Sequence, residues 1–184
     1  MQVGRYDEAV AELGRGLAAD PNDAQLHALS AHCLLELKRF PEATEEAETA
    51  VRLAPDQSFP FYVLARVWQE RNHADRAMTA IGEAIRIEPE DADYHAFRSA
   101  LHLYASRWAQ ALAAAETGLQ LDAQHVQCNN LRAMALVKLG RRAEAGATID
   151  ATLAREPENS ATHANKGWAL SVSYTHLRAH ETKA

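Results

Sequence analysis

The octapeptide AIRIEPED, Ala84–Asp91, decides the fold. Its relatives are GLAADPND at Gly16–Asp23, AVRLAPDQ at Ala50–Gln57, GLQLDAQH at Gly118–His125 and TLAREPEN at Thr152–Asn159, each beginning 34 residues after the last. A small residue (or Thr152) followed by an aliphatic one closes a helix, and the proline soon after prevents the helix from continuing. Pro21, Pro55, Pro89 and Pro157 hold that place, with Ala123 the one replacement. Self-similarity at this period is the mark of a stacked repeat architecture.

Working outward, four whole units are expected at 24–57, 58–91, 92–125 and 126–159, each a pair of helices. In the first, the spacing predicts helices over about Ala24–Leu37 and Pro41–Leu53, with Pro41 in a first turn, where its missing N–H costs nothing. The breaks within units are short (LKRF, RNHA, ASRW, LGRR) and force neighbouring helices antiparallel. Ala9, Ala43, Ala77, Ala111 and Ala145 also fall 34 apart. Small side chains there let helices approach to the ~8–10 Å of close packing. Before the first unit, 1–23 reads as half a repeat, with Tyr6, Ala9, Leu13 and Leu17 on one helical face. Its missing partner helix predicts that the chain starts inside a longer protein or at an internal methionine. Residues 160–171 open another unit, so the array is expected to span 1–171.

The pattern resembles the tetratricopeptide repeat. In Ser58–Asp91 the family's places hold Phe61, Leu64 with Ala65, Trp68, Asn72 at the bend, Ala77, Ile81, Ala84 and Pro89. In Val126–Asn159 they hold Asn129, Arg132 with Ala133, Leu136, Gly140, Ala145, Ile149 and Pro157. Arg98 and Arg132 in place of leucine, and Ala123 in place of proline, are mild departures. The resemblance covers about Gly4–Leu170 and implies an all-α fold, a right-handed superhelix (α-solenoid) of antiparallel helix hairpins. The stretch 172–184 differs in kind. VSYTHLRAHET, Val172–Thr182, breaks the register midway through a first helix and resembles a translated sequencing-library adapter, a contaminant of metagenomic assemblies. It is expected to be non-native, with Ser173–Ala184 making few contacts. Without Arg178, Glu181 and Lys183, 17 basic and 24 acidic residues remain, a balance of −7.

Composition narrows the function classes. The chain is 47% hydrophobic but only 7% aromatic, which suits closely packed, alanine-rich helices. A net charge of −6 argues against a general nucleic-acid binder. No run approaches the ~18 apolar residues of a membrane span. Cys33 and Cys128 stand in no metal spacing and read as buried small hydrophobes in a reducing compartment, which places the protein in the cytoplasm. His27, His95 and His163 occupy one repeat position two whole units apart, too far to share an ion, and read as packing or surface residues. His176 and His180 have helical spacing but lie in the suspected adapter. No nucleophile constellation, phosphate loop or metal set is present, so neither catalysis nor a cofactor is expected.

In the tetratricopeptide resemblance the first helix of each unit lines a concave groove. By register the inner places are Gln25, Ala28, His32, Leu35 and Glu36, then Phe59, Tyr62, Arg66, Gln69 and Glu70. Asp93, Ala96, Ala100, Leu103 and Tyr104 follow, then Gln127, Asn130, Met134, Val137 and Lys138, and finally Ala161, Ala164 and Trp168. From these, His32, Phe59, Tyr62, Arg66, Gln69, Tyr104, Asn130, Met134, Lys138 and Trp168 are the candidate partner-binding residues. Tyr62 and Arg66, four apart, combine an aromatic platform with a cation suited to a partner's carboxylate. The Lys/Asn/Arg clamp with which some family members hold a chaperone's terminal carboxylate is missing: its places hold Ala28 and His32, Tyr62 and Arg66, and Asn130 and Met134. Arg98, Arg132 and Lys166 share one place in successive units. They read as a ladder for acidic segments or, more simply, as stems over helix surfaces that neutralise local acids. The expected function is a scaffold that binds a protein or peptide segment, without nucleic acid or membrane. The alternatives are a non-catalytic arm of a larger enzyme, such as a glycosyltransferase or kinase, and a membrane-associated assembly factor.

Overall fold

The structure, a computed structural model, describes residues 3–181, with side chains described for 5–171. Every regular element among the described residues is an α-helix. The chain divides into two compact units, Met1–Pro89 and Glu90–Ala184. The first holds α1 (Val3–Ala19), α2 (Ala24–Glu36), α3 (Phe40–Leu53), α4 (Ser58–Glu70) and α5 (Ala74–Ile87). The second holds α6 (Ala92–Tyr104), α7 (Trp108–Leu121), α8 (Val126–Lys138), α9 (Arg142–Arg155) and α10 (Ser160–Glu181). The expected contacts of Ser173–Ala184 lie outside the residues whose side chains are described.

Helix starts and stops follow local chemistry. Asp23 caps α2 by accepting from the N–H groups of Gln25 and Leu26, Asp91 caps α6 through Asp93, and His125 Nδ1 accepts from Cys128 at the start of α8. The bends inside the hairpins carry a left-handed residue at one repeat position: Lys38 (φ 61°), Asn72 (62°), Ser106 (57°) and Gly140 (80°). Only Gly140 adopts that conformation without a Cβ penalty. The bend is therefore imposed by packing in three hairpins and merely permitted in the fourth.

Ala43, Ala77, Ala111 and Ala145 have no exposed surface. The first unit packs Leu34 and Leu35 of α2 and Val63 and Val67 of α4 around Ala43 and Ala47, with Val10 of α1 against them. In the second, Leu112, Leu136 and Val137 surround Ala111 and Ala145, while Cys128 and Leu131 pack on Ala96 and Ala115. Gly118, first residue of its octapeptide, is needed for a close approach. A Cβ there would lie 2.5 Å from Cys128 Sγ and 3.3 Å from His95 Cβ.

The histidine position proves to be neither pure packing nor simple surface. His27 donates from Nε2 to the Pro21 carbonyl (3.0 Å), and His163 donates to the Pro157 carbonyl (2.7 Å). Asn129, in the same register, reaches the Ala123 carbonyl at 3.5 Å. A side chain of the first helix thus clasps the preceding turn. The turn's carbonyls have no helical partner, so the clasp satisfies a group the chain reversal leaves open.

Candidate functional site

In the first unit, the inner places of α2 and α4 split into packing and accessible residues. Ala28 and Leu35 are buried, and Phe59 is partly buried against the core cluster. His32, Tyr62, Arg66 and Gln69 are half-buried. Arg66 does not await a partner's carboxylate, as its sequence context suggests. It donates to His32 Nδ1 (2.8 Å) and to Glu36 Oε1 (2.8 Å), and lies 5.9 Å from the Tyr62 ring centre. Burial and the Arg66 charge hold the His32 ring below its ordinary pKa, so His32 serves as a neutral acceptor. Lys38 pairs with Glu70 at 3.1 Å. Glu36, Lys38, Arg66, Gln69 and Glu70 line a polar hollow of about 190 Å³ in which each cation already has its carboxylate.

The second unit is organised differently. Ala96 and Val137 are buried. Asn130 leaves the accessible set: it is 9% exposed, and its amide oxygen accepts from the buried Thr162 hydroxyl (2.9 Å), joining α8 to α10. The reason is local, since a hydroxyl one hairpin later gives the amide a better partner than water. Tyr104 is 66% exposed and Met134 is half-buried. Lys138 Nζ sits between two indoles, 5.3 Å from the Trp108 ring centre and 5.1 Å from Trp168. Such cation–π contacts contribute about 0.5–1 kcal/mol at exposed sites. No carboxylate pairs with Lys138 among the described residues. Trp108 escapes the sequence reading because it starts a second helix. Its register with Phe40, whose ring lies 5.8 Å from Lys38 Nζ, was the available signal.

Away from the inner places, Arg132 meets Glu116 (3.5 Å) and Thr148 (2.6 Å), and Lys166 meets Asp150 (2.8 Å). These two neutralise local acids. Arg98 has no such partner among the described residues. Among the same residues no group of three or more His, Cys, Asp or Glu side chains is placed to hold a metal ion. No helix among them is long and apolar enough to cross a membrane.

Helix hairpins of this length, with a bend of fixed register and a turn every 34 residues, have the fold of the tetratricopeptide type. The family model for the tetratricopeptide repeat matches residues 1–60, and the chain carries that fold throughout its described helices. The tetratricopeptide repeat protein TTC0263 of Thermus thermophilus superposes with a TM-score of 0.77 at 22% identity, over 92% of each chain. A tetratricopeptide repeat protein of Parabacteroides merdae ATCC 43184 gives 0.79 at 13% identity, over 97% of this chain and 71% of the other. YrrB, described as a tetratricopeptide repeat protein with an unusual peptide-binding site, gives 0.66 at 15% identity, over 93% and 97%. A search of curated protein sequences found no significant match.

Proposed function

We propose that this repeat protein is an interaction scaffold that binds a partner segment along the inner places of its first helices. One observation carries the reading: aromatic, sulfur-containing and cationic side chains stay accessible there while Ala28, Leu35, Ala96 and Val137 between them are buried. Tyr104, Met134 and Trp168 supply apolar area on one unit, and Tyr62 on the other. Aromatic residues of this kind bind at low entropic cost. The partner is a largely apolar peptide with few charges, since Lys38 and Arg66 on the first unit's inner face are already paired and the chain's net charge of −6 disfavours a strongly acidic ligand. The same charge favours protein over nucleic acid. Buried, unpaired Cys33 and Cys128 fit a reducing, cytoplasmic setting. The peptide-binding site reported for YrrB belongs to a protein of like fold and adds plausibility of mode, not of ligand.

Selection of peptides from a random display library on the immobilised chain tests this. Binders should lose at least about tenfold in affinity, some 1.4 kcal/mol, with Tyr62→Ala or Met134→Ala. If the selected peptides bind both folded variants at full strength, the inner places are not the site.

A further inference from the structure

On the face of α6 opposite Tyr104 lies a hollow of about 250 Å³ between α6 and α7, lined by Arg98, His102, Gln110, Ala113, Ala114 and Thr117. Its chemistry departs from that of its sister hairpin. There Arg132 donates to the Thr148 hydroxyl and meets Glu116. The residue in register with Thr148 is Ala114, and the one in register with Glu116 is Gly82, so neither of those places offers Arg98 a hydroxyl or a carboxylate. Among the described residues Arg98 donates only to His95 Nδ1 (3.1 Å), within its own helix. Burial with no compensating anion holds its guanidinium below the ordinary arginine pKa.

The second wall is His102, whose Nδ1 is buried without any hydrogen-bond partner. Leaving such a group unsatisfied costs about 1–3 kcal/mol. Burial and the neighbouring Arg107 and Arg98 charges hold its ring below the usual histidine range. Arg98 and His102 therefore share a hollow whose lining holds no carboxylate, with the Arg107 charge also acting on His102.

We propose that this hollow binds a small oxyanion, a carboxylate or a phosphate group. The planar fork of Arg98 matches two oxygens of either group. Protonation of the His102 ring at the wall adds a second positive charge, and the exposed Gln110 closes the rim. The site lies apart from the inner places proposed for peptides, so the two readings stand or fall separately.

The test is NMR of histidine side chains in the whole chain, titrated with inorganic phosphate and with acetate, against sodium chloride at matched ionic strength. Phosphate or acetate should shift the His102 ring resonances saturably and raise its titration midpoint, because a bound anion offsets Arg98 and Arg107. Saturation by phosphate alone assigns a phosphoryl ligand, and saturation by acetate alone a carboxylate. Arg98→Gln should abolish the effect, and Arg132→Gln should leave it. Gln110→Glu, at an exposed position that does not threaten folding, should also abolish it by placing a competing carboxylate at the rim. Shifts that rise without saturating, match those in chloride, or persist in Gln110→Glu would overturn the proposal.

Discussion

The inner faces of the two units use the same register to opposite effect. In the first, Arg66 is closed off: His32 and Glu36 take its donors, and Tyr62 covers its face. In the second, Lys138 lies between two indoles and pairs with no carboxylate among the described residues. The difference arises from what the shared register supplies. The place of Arg66 holds Met134 two repeats later, and the place of Glu36 and Glu70 holds Lys138, whose neighbours are Trp108 and Trp168 instead of a carboxylate. A carboxylate makes a closed, polar surface, and an aromatic makes an open one with a charge still to offer. The same repeat register thus yields chemically distinct inner faces through a few side-chain differences.

The sharpest challenge to this comparison is whether the backbones really are equivalent. Ala77→Leu in the first unit and Ala111→Leu in the second should each cost about 1–3 kcal/mol, because both sites are fully buried between helices. Thermal melts in which one replacement is neutral would show that the units do not share a packing register.

The bends provide a test of intermediate size. Gly140→Ala should lose about 1 kcal/mol by placing a Cβ at φ 80°, while Ser106→Gly should gain a comparable amount by relieving φ 57°. Denaturant midpoints moving in the same direction for both would refute the imposed bend.

A smaller change should turn the first face into a version of the second. Glu36→Gln leaves the half-buried Arg66 without its carboxylate and should cost up to about 1 kcal/mol, a solvent-screened pair being worth no more. It should also strengthen binding of peptides that carry a single carboxylate. If affinity for such peptides is unchanged, the closure of Arg66 is not what sets the character of this face.

The least effect is expected from pH. Both ring nitrogens of His27 face acceptors, Glu46 (2.6 Å) and the Pro21 carbonyl, an arrangement that favours the doubly protonated ring. Burial opposes that charge, but the Pro21 carbonyl, Glu46 and Asp23 outweigh it and raise the pKa above 6.5. The clasp's contribution is therefore full below pH 6.5 and lost as pH rises through the raised folded value. His32, with its pKa lowered, acts in the opposite sense: its contribution is present above pH 6.5 and lost as pH falls. Subtracting a His27→Gln stability profile from that of the parent isolates the first step. A flat difference would mean that His27 carries no proton linkage.

The sequence by itself determined the helices, their pairing and the turns at 20–23, 54–57, 88–91, 122–125 and 156–159. Those features rest on proline, small residues and apolar spacing, which act over one or two turns of chain and are repeated five times. It also named an inner face. Tertiary structure alone decided which of its members remain available. Asn130 is taken by Thr162, Arg66 by Glu36, and Lys138 is left between Trp108 and Trp168. A polar side chain chooses among partners a whole repeat away by fractions of an ångström and by who else competes for them. Residue type and spacing do not encode that choice, so Arg98 and Arg132 look alike in register, yet only Arg132 finds an acid.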